Sequence, residues 1–284
     1  MKNILLFLFF LIPFSFNSYA TIEIDITEGN REPLPIAITN FFHDGNEKIT
    51  NTDLPSKIRG VIQNDLESTG LFNSIDEKAF IQENKSLHLK PRFADWRLIN
   101  SQGLVTGDLK IEDDRLKVEF RLWDTLAEKE IEGLVLITTP DNWRRISHMI
   151  ADKIYERLTG EEGYFDTRIV YVAEEGPKNN RVKKLAIMDQ DGANHKFLTS
   201  GKELVLTPRF NPVRQEITYL SYFKNLPRVY LLNIQTGIQE VVGDFPGMTF
   251  APRFSPDGNR IIMSLAREGN SDIYVMNLNS RVVE

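Results

Sequence analysis

The second half of the chain repeats itself, and this restricts the fold more than any other feature. Thr207-Pro208-Arg209-Phe210-Asn211-Pro212 recurs as Ala251-Pro252-Arg253-Phe254-Ser255-Pro256, a shift of about 44 residues. At the same shift Ile217 meets Ile261, and Val229 to Ile234 meets Ile273 to Leu278. An earlier copy of the last element runs from Leu185 to Asp189, and Ile169-Val170-Tyr171 corresponds to Ile217-Thr218-Tyr219. Each unit reads as short strands separated by turns. Ser255-Pro256-Asp257-Gly258 is a hairpin turn in which Pro sets φ and Gly takes the left-handed position. Asp189-Gln190-Asp191-Gly192 and Gln235-Thr236-Gly237 are equivalent turns. Units of about 40–45 residues built this way are propeller blades. A helical repeat fails, because Pro and Gly punctuate the pattern too often.

The first half has a different grammar. Thr21 to Ile26 alternates apolar and acidic residues and reads as a half-buried or edge strand. An extended segment of this kind can belong to its own domain's edge or add to another protein's sheet. Residues 28–33 form a polar break before a buried strand from Leu34 to Phe42. Leu54, Ile58, Val61, Ile62 and Leu66 make one apolar helical stripe, capped by Thr52 or Asp53 and ended by Gly70. Asp76 to Gln82 suggests a short second helix. Strands are expected over Leu104–Ile111, Leu116–Leu122 and Glu130–Thr139, the second alternating cleanly with Lys117, Glu119 and Arg121. Asp141 is expected to cap a helix with Trp143, Ile146, Ile150, Ile154 and Leu158 on one face, closed by Gly160. A mixed sheet with helices on one face buries these stripes economically.

Ahead of both domains, Met1-Lys2-Asn3 and the apolar run Ile4 to Phe16 lead to small residues at Ser18 and Ala20. This is the signal-peptide pattern, with cleavage expected between Ala20 and Thr21. The run is short of the roughly 20 apolar residues a membrane span needs, and no cysteine follows to carry a lipid. The chain has 284 residues, no cysteine and a net charge of −6. Thiolate chemistry and disulfide frameworks are therefore excluded, and nothing in the charge suggests nucleic acid. The domain plan is residues 1–20 as signal peptide, 21–33 as an N-terminal segment, 34–160 as an α+β domain, 161–167 as a linker, and 168–284 as an all-β, propeller-type domain.

No catalytic constellation is visible. His43, His88, His148 and His195 are scattered and lack metal-ligand spacing, so each reads as a surface or structural histidine. Asp189-x-Asp191-Gly192 resembles a calcium loop but lacks the further ligands, and reads as a turn. Asp113-Asp114, Glu161-Glu162 and Glu174-Glu175 read as solvated charge in turns. There is no G-x-S-x-G elbow and no phosphate-binding glycine pattern. No metal, cofactor or enzymatic activity is expected.

Several stretches together resemble the TolB family of Tol–Pal systems. They are the exported Thr21–Ile26 segment with the following strand, and Asp65-Leu66-Glu67-Ser68-Thr69-Gly70-Leu71-Phe72 at a helix end. A third is the junction from Lys153-Ile154-Tyr155-Glu156-Arg157-Leu158-Thr159-Gly160 into Phe165-Asp166-Thr167-Arg168-Ile169-Val170-Tyr171-Val172. The last is Ala251-Pro252-Arg253-Phe254-Ser255-Pro256-Asp257-Gly258 with Asp272 to Met276. The resemblance implies an α+β domain followed by a six-bladed propeller, in a periplasmic binding protein rather than an enzyme. It implies that the propeller face holds the lipoprotein Pal, and that Thr21, Ile22, Glu23, Ile24, Asp25 and Ile26 bind TolA. Docking or release of that segment would couple the two partners, and other outer-membrane proteins are further candidates. The role implied is outer-membrane invagination in division, envelope integrity and protein import. By the same carry-over Met248, Thr249, Ala251 and Pro252 are Pal-facing, with Met248 standing where the family usually has a polar residue.

Residues 168–284 hold about 2.7 units of the 44-residue repeat, against six in the family. A truncated or split gene product, partly or wholly non-functional alone, and a ring closed from several chains are the expectations this raises. An exported propeller hydrolase or glycan-binding protein is the alternative from another class. It would need a carboxylate or histidine cluster at the central channel.

Overall fold

The computed structural model describes residues 22–25, 32–43, 53–83, 90–223, 226–242, 245 and 247–284. The signal-peptide stretch, with Ala20 and Thr21, lies outside them, as do Ile26, Thr52 and His88. The chain divides into two compact units between Phe165 and Asp166.

The first unit is built on a five-stranded sheet in the order β2-β1-β3-β4-β5. β1 is Leu34–Ile38, β2 Phe72–Ser74, β3 Gly103–Glu112, β4 Arg115–Asp124 and β5 Lys129–Thr138. β1 runs parallel to β2 and to β3, while β3, β4 and β5 form an antiparallel meander. Helix α1 (Leu54–Ser68) and helix α3 (Trp143–Thr159) lay their apolar stripes on one face. Ile58, Ile62, Leu66, Ile150, Ile154 and Leu158 there are fully buried, each contributing roughly 1.5–3 kcal/mol. Gly70 and Gly160 have positive φ and end the two helices as the sequence leads one to expect. The α3 start differs. Pro140–Asn142 winds a single 3-10 turn, so Asn142 rather than Asp141 precedes the helix.

Two corrections concern this sheet. Helices occupy both faces, not one. A short helix α2 (Phe93–Leu98) puts Phe93 and Trp96 against Ala37, Leu104 and Trp123 on the face opposite α1 and α3. Only Phe93 and Trp96 of its six residues are buried, and Leu98 is exposed, so the pattern supports no periodicity argument. Gln82 fixes it, its Oε1 accepting from Trp96 Nε1 at 3.1 Å and from the Arg92 amide at 2.8 Å. The second correction is the expected first strand. Residues 22–25 are extended but belong to no sheet. Within the helical layer, His148 Nδ1 on α3 lies 2.6 Å from Asp65 Oδ2 on α1, both buried. Gly107 in β3 is required by packing: a Cβ would stand 2.2 Å from the Phe41 ring.

The second unit consists of three antiparallel sheets. The first joins β6 (Arg168–Glu175), β7 (Val182–Asp189) and β8 (Lys196–Phe197). The second joins β9 (Val205–Phe210), β10 (Glu216–Ser221), β11 (Arg228–Asn233) and β12 (Gln239–Val241). The third joins β13 (Met248–Phe254), β14 (Arg260–Arg267) and β15 (Asn270–Asn277). They are not closed into a ring. Leu185, Ile217, Tyr219 and Tyr230 form one apolar cluster, with Val170 and Val172 against it. Val229, Leu231, Ile261, Met263 and Met276 form another. Each therefore joins side chains of neighbouring sheets, which is how blades stack.

The repeat survives at the level of single hydrogen bonds. Asn233 Oδ1 accepts from the amides of Gln235 and Thr236, and Asn277 Oδ1 accepts from those of Asn279 and Ser280. Arg209 and Arg253 each donate to the carbonyl of the preceding proline. Gly258 carries a second constraint beyond its turn. Its carbonyl accepts from Asn211 Nδ2 at 3.0 Å, and a Cβ would lie 2.2 Å from Asn211 Oδ1. Glu174 and Glu175 are not in a turn as the sequence suggested. They lie at the end of β6 and pair at 2.7 Å with Lys183 and Lys184.

Candidate partner-binding surfaces

The N-terminal segment is held by two backbone amides. Ile22 N donates to Asp124 Oδ2 at 3.0 Å, and Ile24 N donates to the carbonyl of Leu158 at 2.6 Å. Leu158 sits in the last turn of α3, where carbonyls have no partner within the helix. Asp124 ends β4 and is fully buried. Its other oxygen, Oδ1, accepts from the amides of Leu126 and Ala127 at 2.9 and 2.8 Å. One carboxylate thus shapes the β4–β5 turn and holds the segment. The alternation sorts the side chains. Ile22 is buried and Ile24 half-buried against the main core, while Glu23 and Asp25 are exposed.

A groove of about 440 Å³ runs beside the segment, lined by Glu23, Ile24, Glu132, Lys153, Glu156 and Arg157 among others. Lys153 Nζ bonds Glu156 at 2.7 Å, and that bond raises the lysine's pKa above its ordinary value. Arg157 Nε donates to the Ile131 carbonyl at 3.0 Å. Three carboxylates against two cations, both already bonded, leave the groove acidic on balance.

The second surface lies on the third sheet. Met248 pairs with Ala266 and Thr249 with Leu265. The β13–β14 register then shifts between Phe250 and Arg253. Ala251 sits in that irregularity with φ of 54°, exposed. Its repeat counterpart Thr207, also exposed, has φ of 47°. Non-glycine residues seldom occupy this region, so the repeat conserves a backbone conformation as well as a sequence. Thr249 is buried and its Oγ1 accepts from the Val229 amide at 3.1 Å; Pro252 is buried too. Ahead of the strand, the Arg228 guanidinium donates to the Gly247 carbonyl. Of the four residues singled out here, Ala251 presents its side chain to solvent, while Thr249 and Pro252 hold the bulge from below.

Among the candidates for chemistry, Asp191 Oδ1 accepts from the Ala193 amide at 3.0 Å within its turn. Asp189 Oδ2 accepts from Asn194 Nδ2 at 2.6 Å. Sequence reasoning missed Asp124 and Leu158 as the groups that hold residues 22–25. The signal that existed was an acid closing an apolar strand just before a turn. Among the described residues no helix is long and apolar enough to cross a membrane.

An α+β domain leading into stacked propeller-type sheets, with an extended N-terminal segment docked on the first domain, defines a two-domain protein of the propeller class. Comparison with known proteins narrows the class. Residues 22–131 match the TolB amino-terminal domain family, and residues 155–284 match the TolB beta propeller domain family. The chain belongs to the TolB family. A Tol-Pal system protein TolB from Pelagibacter ubique (strain HTCC1062) is 60% identical over 253 residues, covering 87% of this chain and 56% of that protein. The crystal structure of TolB from Acinetobacter baumannii superimposes with a TM-score of 0.75 at 28% identity, covering 93% of this chain and 63% of that one. The chain spans a little over half the length of the curated relative it matches.

Proposed function

We propose that this chain is a non-enzymatic periplasmic scaffold of a Tol–Pal system. In this reading it binds TolA through residues 21–26 and Pal through the propeller loops around Met248, Thr249, Ala251 and Pro252. Its work is outer-membrane invagination during division and envelope integrity. The observation that carries the reading is the docked segment. Residues 22–25 lie outside the sheet, with two backbone hydrogen bonds among their anchors and solvent beside them, so they can leave without unfolding a strand of the sheet. A released segment alternating isoleucine with acids suits strand addition to a partner. On the propeller, the fixed Ala251 bulge is a shaped, solvent-facing feature that a protein partner can read.

Two pull-downs test the proposal, one with the C-terminal domain of TolA and one with Pal. Deleting residues 21–26 is expected to abolish TolA capture and leave Pal capture unchanged. TolA capture that survives the deletion overturns the segment's role. Folded protein that captures neither partner overturns the scaffold reading.

A further inference from the structure

Strand β5 stands at one side of the first unit's sheet, and among the described residues no strand pairs with its outer edge. Its guards are confined to the start of the strand, where Lys129, Glu130 and Glu132 flank a register irregularity. Residues 133–139 carry no charge, and Val135 and Ile137 are 46% and 57% exposed. Edges are ordinarily blunted by charge, proline or a bulge. The hydrogen-bond phase of the meander shows which backbone groups face outward. Asp113 and Asp114, with φ of 49° and 59°, form the two-residue turn between β3 and β4. Glu112 and Arg115 therefore make the closing hydrogen-bonded pair. Counting by twos, odd residues of β4 bond β3 and even ones bond β5. Leu116, Val118 and Phe120 pair with Thr138, Leu136 and Leu134. Gly133, Val135 and Ile137 consequently turn their amides and carbonyls to the outer edge, which no described strand covers. In agreement, the Gly133 amide contacts its neighbour Glu132 at Oε1, 3.2 Å away.

The same face is charged in a particular way. Lys110 stands directly across from Lys117, and Lys117 across from Ile137. Two like charges in one cross-strand row are unfavourable. In the next row Asp108 faces Glu119, which is bonded to Arg121. We propose that the β5 edge takes an added strand from an extended segment of another protein, with an acidic side chain opposite Ile137 and a β-branched one opposite Val135. Strands lie about 4.8 Å apart, so the acid would start about 10 Å from the Lys117 backbone. A glutamate and a lysine close that gap between them, the glutamate stem covering Ile137 on the way. The acid relieves the Lys110–Lys117 row, and the added strand satisfies the outward amides of Val135 and Ile137.

The probe is a labelled ten-residue peptide with valine and glutamate at alternate positions of one face and threonine on the other. Two controls accompany it: one with lysine for glutamate, and one N-methylated at alternate amides. Binding to the full chain is expected to slow hydrogen exchange at Val135 and Ile137. The lysine peptide should bind at least tenfold more weakly, and the N-methylated one should not bind. Ile137→Lys should abolish binding with the chain still folding cooperatively, and Lys117→Ala should erase the preference for glutamate. Equal binding of the N-methylated peptide overturns the proposal, as does protection confined to other residues. Concentration-dependent protection of the two amides in the chain alone also overturns it, because it makes a second copy the occupant.

Discussion

Asp124 serves two clients with two oxygens, so its replacement has a composite effect. Removing the carboxylate strands the part-buried amides of Leu126 and Ala127 and releases the buried one of Ile22. Unsatisfied buried donors cost about 1–3 kcal/mol each. Asp124→Ala is therefore expected to lower unfolding stability by roughly 3 kcal/mol, within that range once turn relaxation is allowed. It should also free the segment. Chemical denaturation gives the first quantity. Loss of exchange protection at the Ile24 amide, with α1 still protected, reports the second. None of this could be read from the sequence, because the bond joins residues 102 positions apart. The alternation of Ile22, Glu23, Ile24 and Asp25 announced an extended segment with one apolar side. It left open whether that side met the chain's own core, and the structure places Ile22 there.

At the scale of elements, helices α1 and α3 were legible apart from their N-terminal caps, because their stripes run over three turns or more. Helix α2 was not, since six residues with two aromatics carry no period. The bond between the two long helices was equally hidden. His148 lies on the buried face of α3, and its pairing with Asp65 needs the helix crossing to be known. Breaking a buried pair by removing one partner is costly. His148→Ala is expected to cost about 3 kcal/mol of stability, measurable by denaturant unfolding followed through Trp96 and Trp123 fluorescence. Among the sheets, Tyr219 gives a test by pH. It is buried, its hydroxyl donates to Gln239 Oε1 at 2.9 Å, and burial raises its pKa to about 12. The unfolded tyrosine loses its proton near pH 10 while the folded one keeps it. Its stabilising contribution is thus complete below about pH 10 and is lost as pH rises toward about 12. The alkaline limb of a stability–pH curve should flatten in Tyr219→Phe.

For the molecule as a whole, the 44-residue repeat was the legible part. It foretold stacked antiparallel sheets, the turns at Gly192, Gly237 and Gly258, and the correspondence of Thr207 with Ala251. Their shared positive φ was not foreseen, since neither residue favours it. The sheets are stitched pairwise, the first to the second through Arg168 to Gln215 and the second to the third through Asn211 to Gly258 and Arg214 to Asn259, so each is stabilised chiefly by its neighbour. The release proposed for the docked segment, by contrast, would be an exchange with solvent. On leaving, the segment would expose the Asp124 oxygen, the Leu158 carbonyl and the apolar surface under Ile22 to water. Release is therefore a hydration reaction. Solutes excluded from protein surfaces oppose it. Sucrose should raise exchange protection at Ile24 and weaken the proposed TolA capture in proportion, while leaving Pal capture by a chain lacking residues 21–26 unaffected. A cell compartment whose solute content rises and falls would by this route set how readily the segment is offered to a partner.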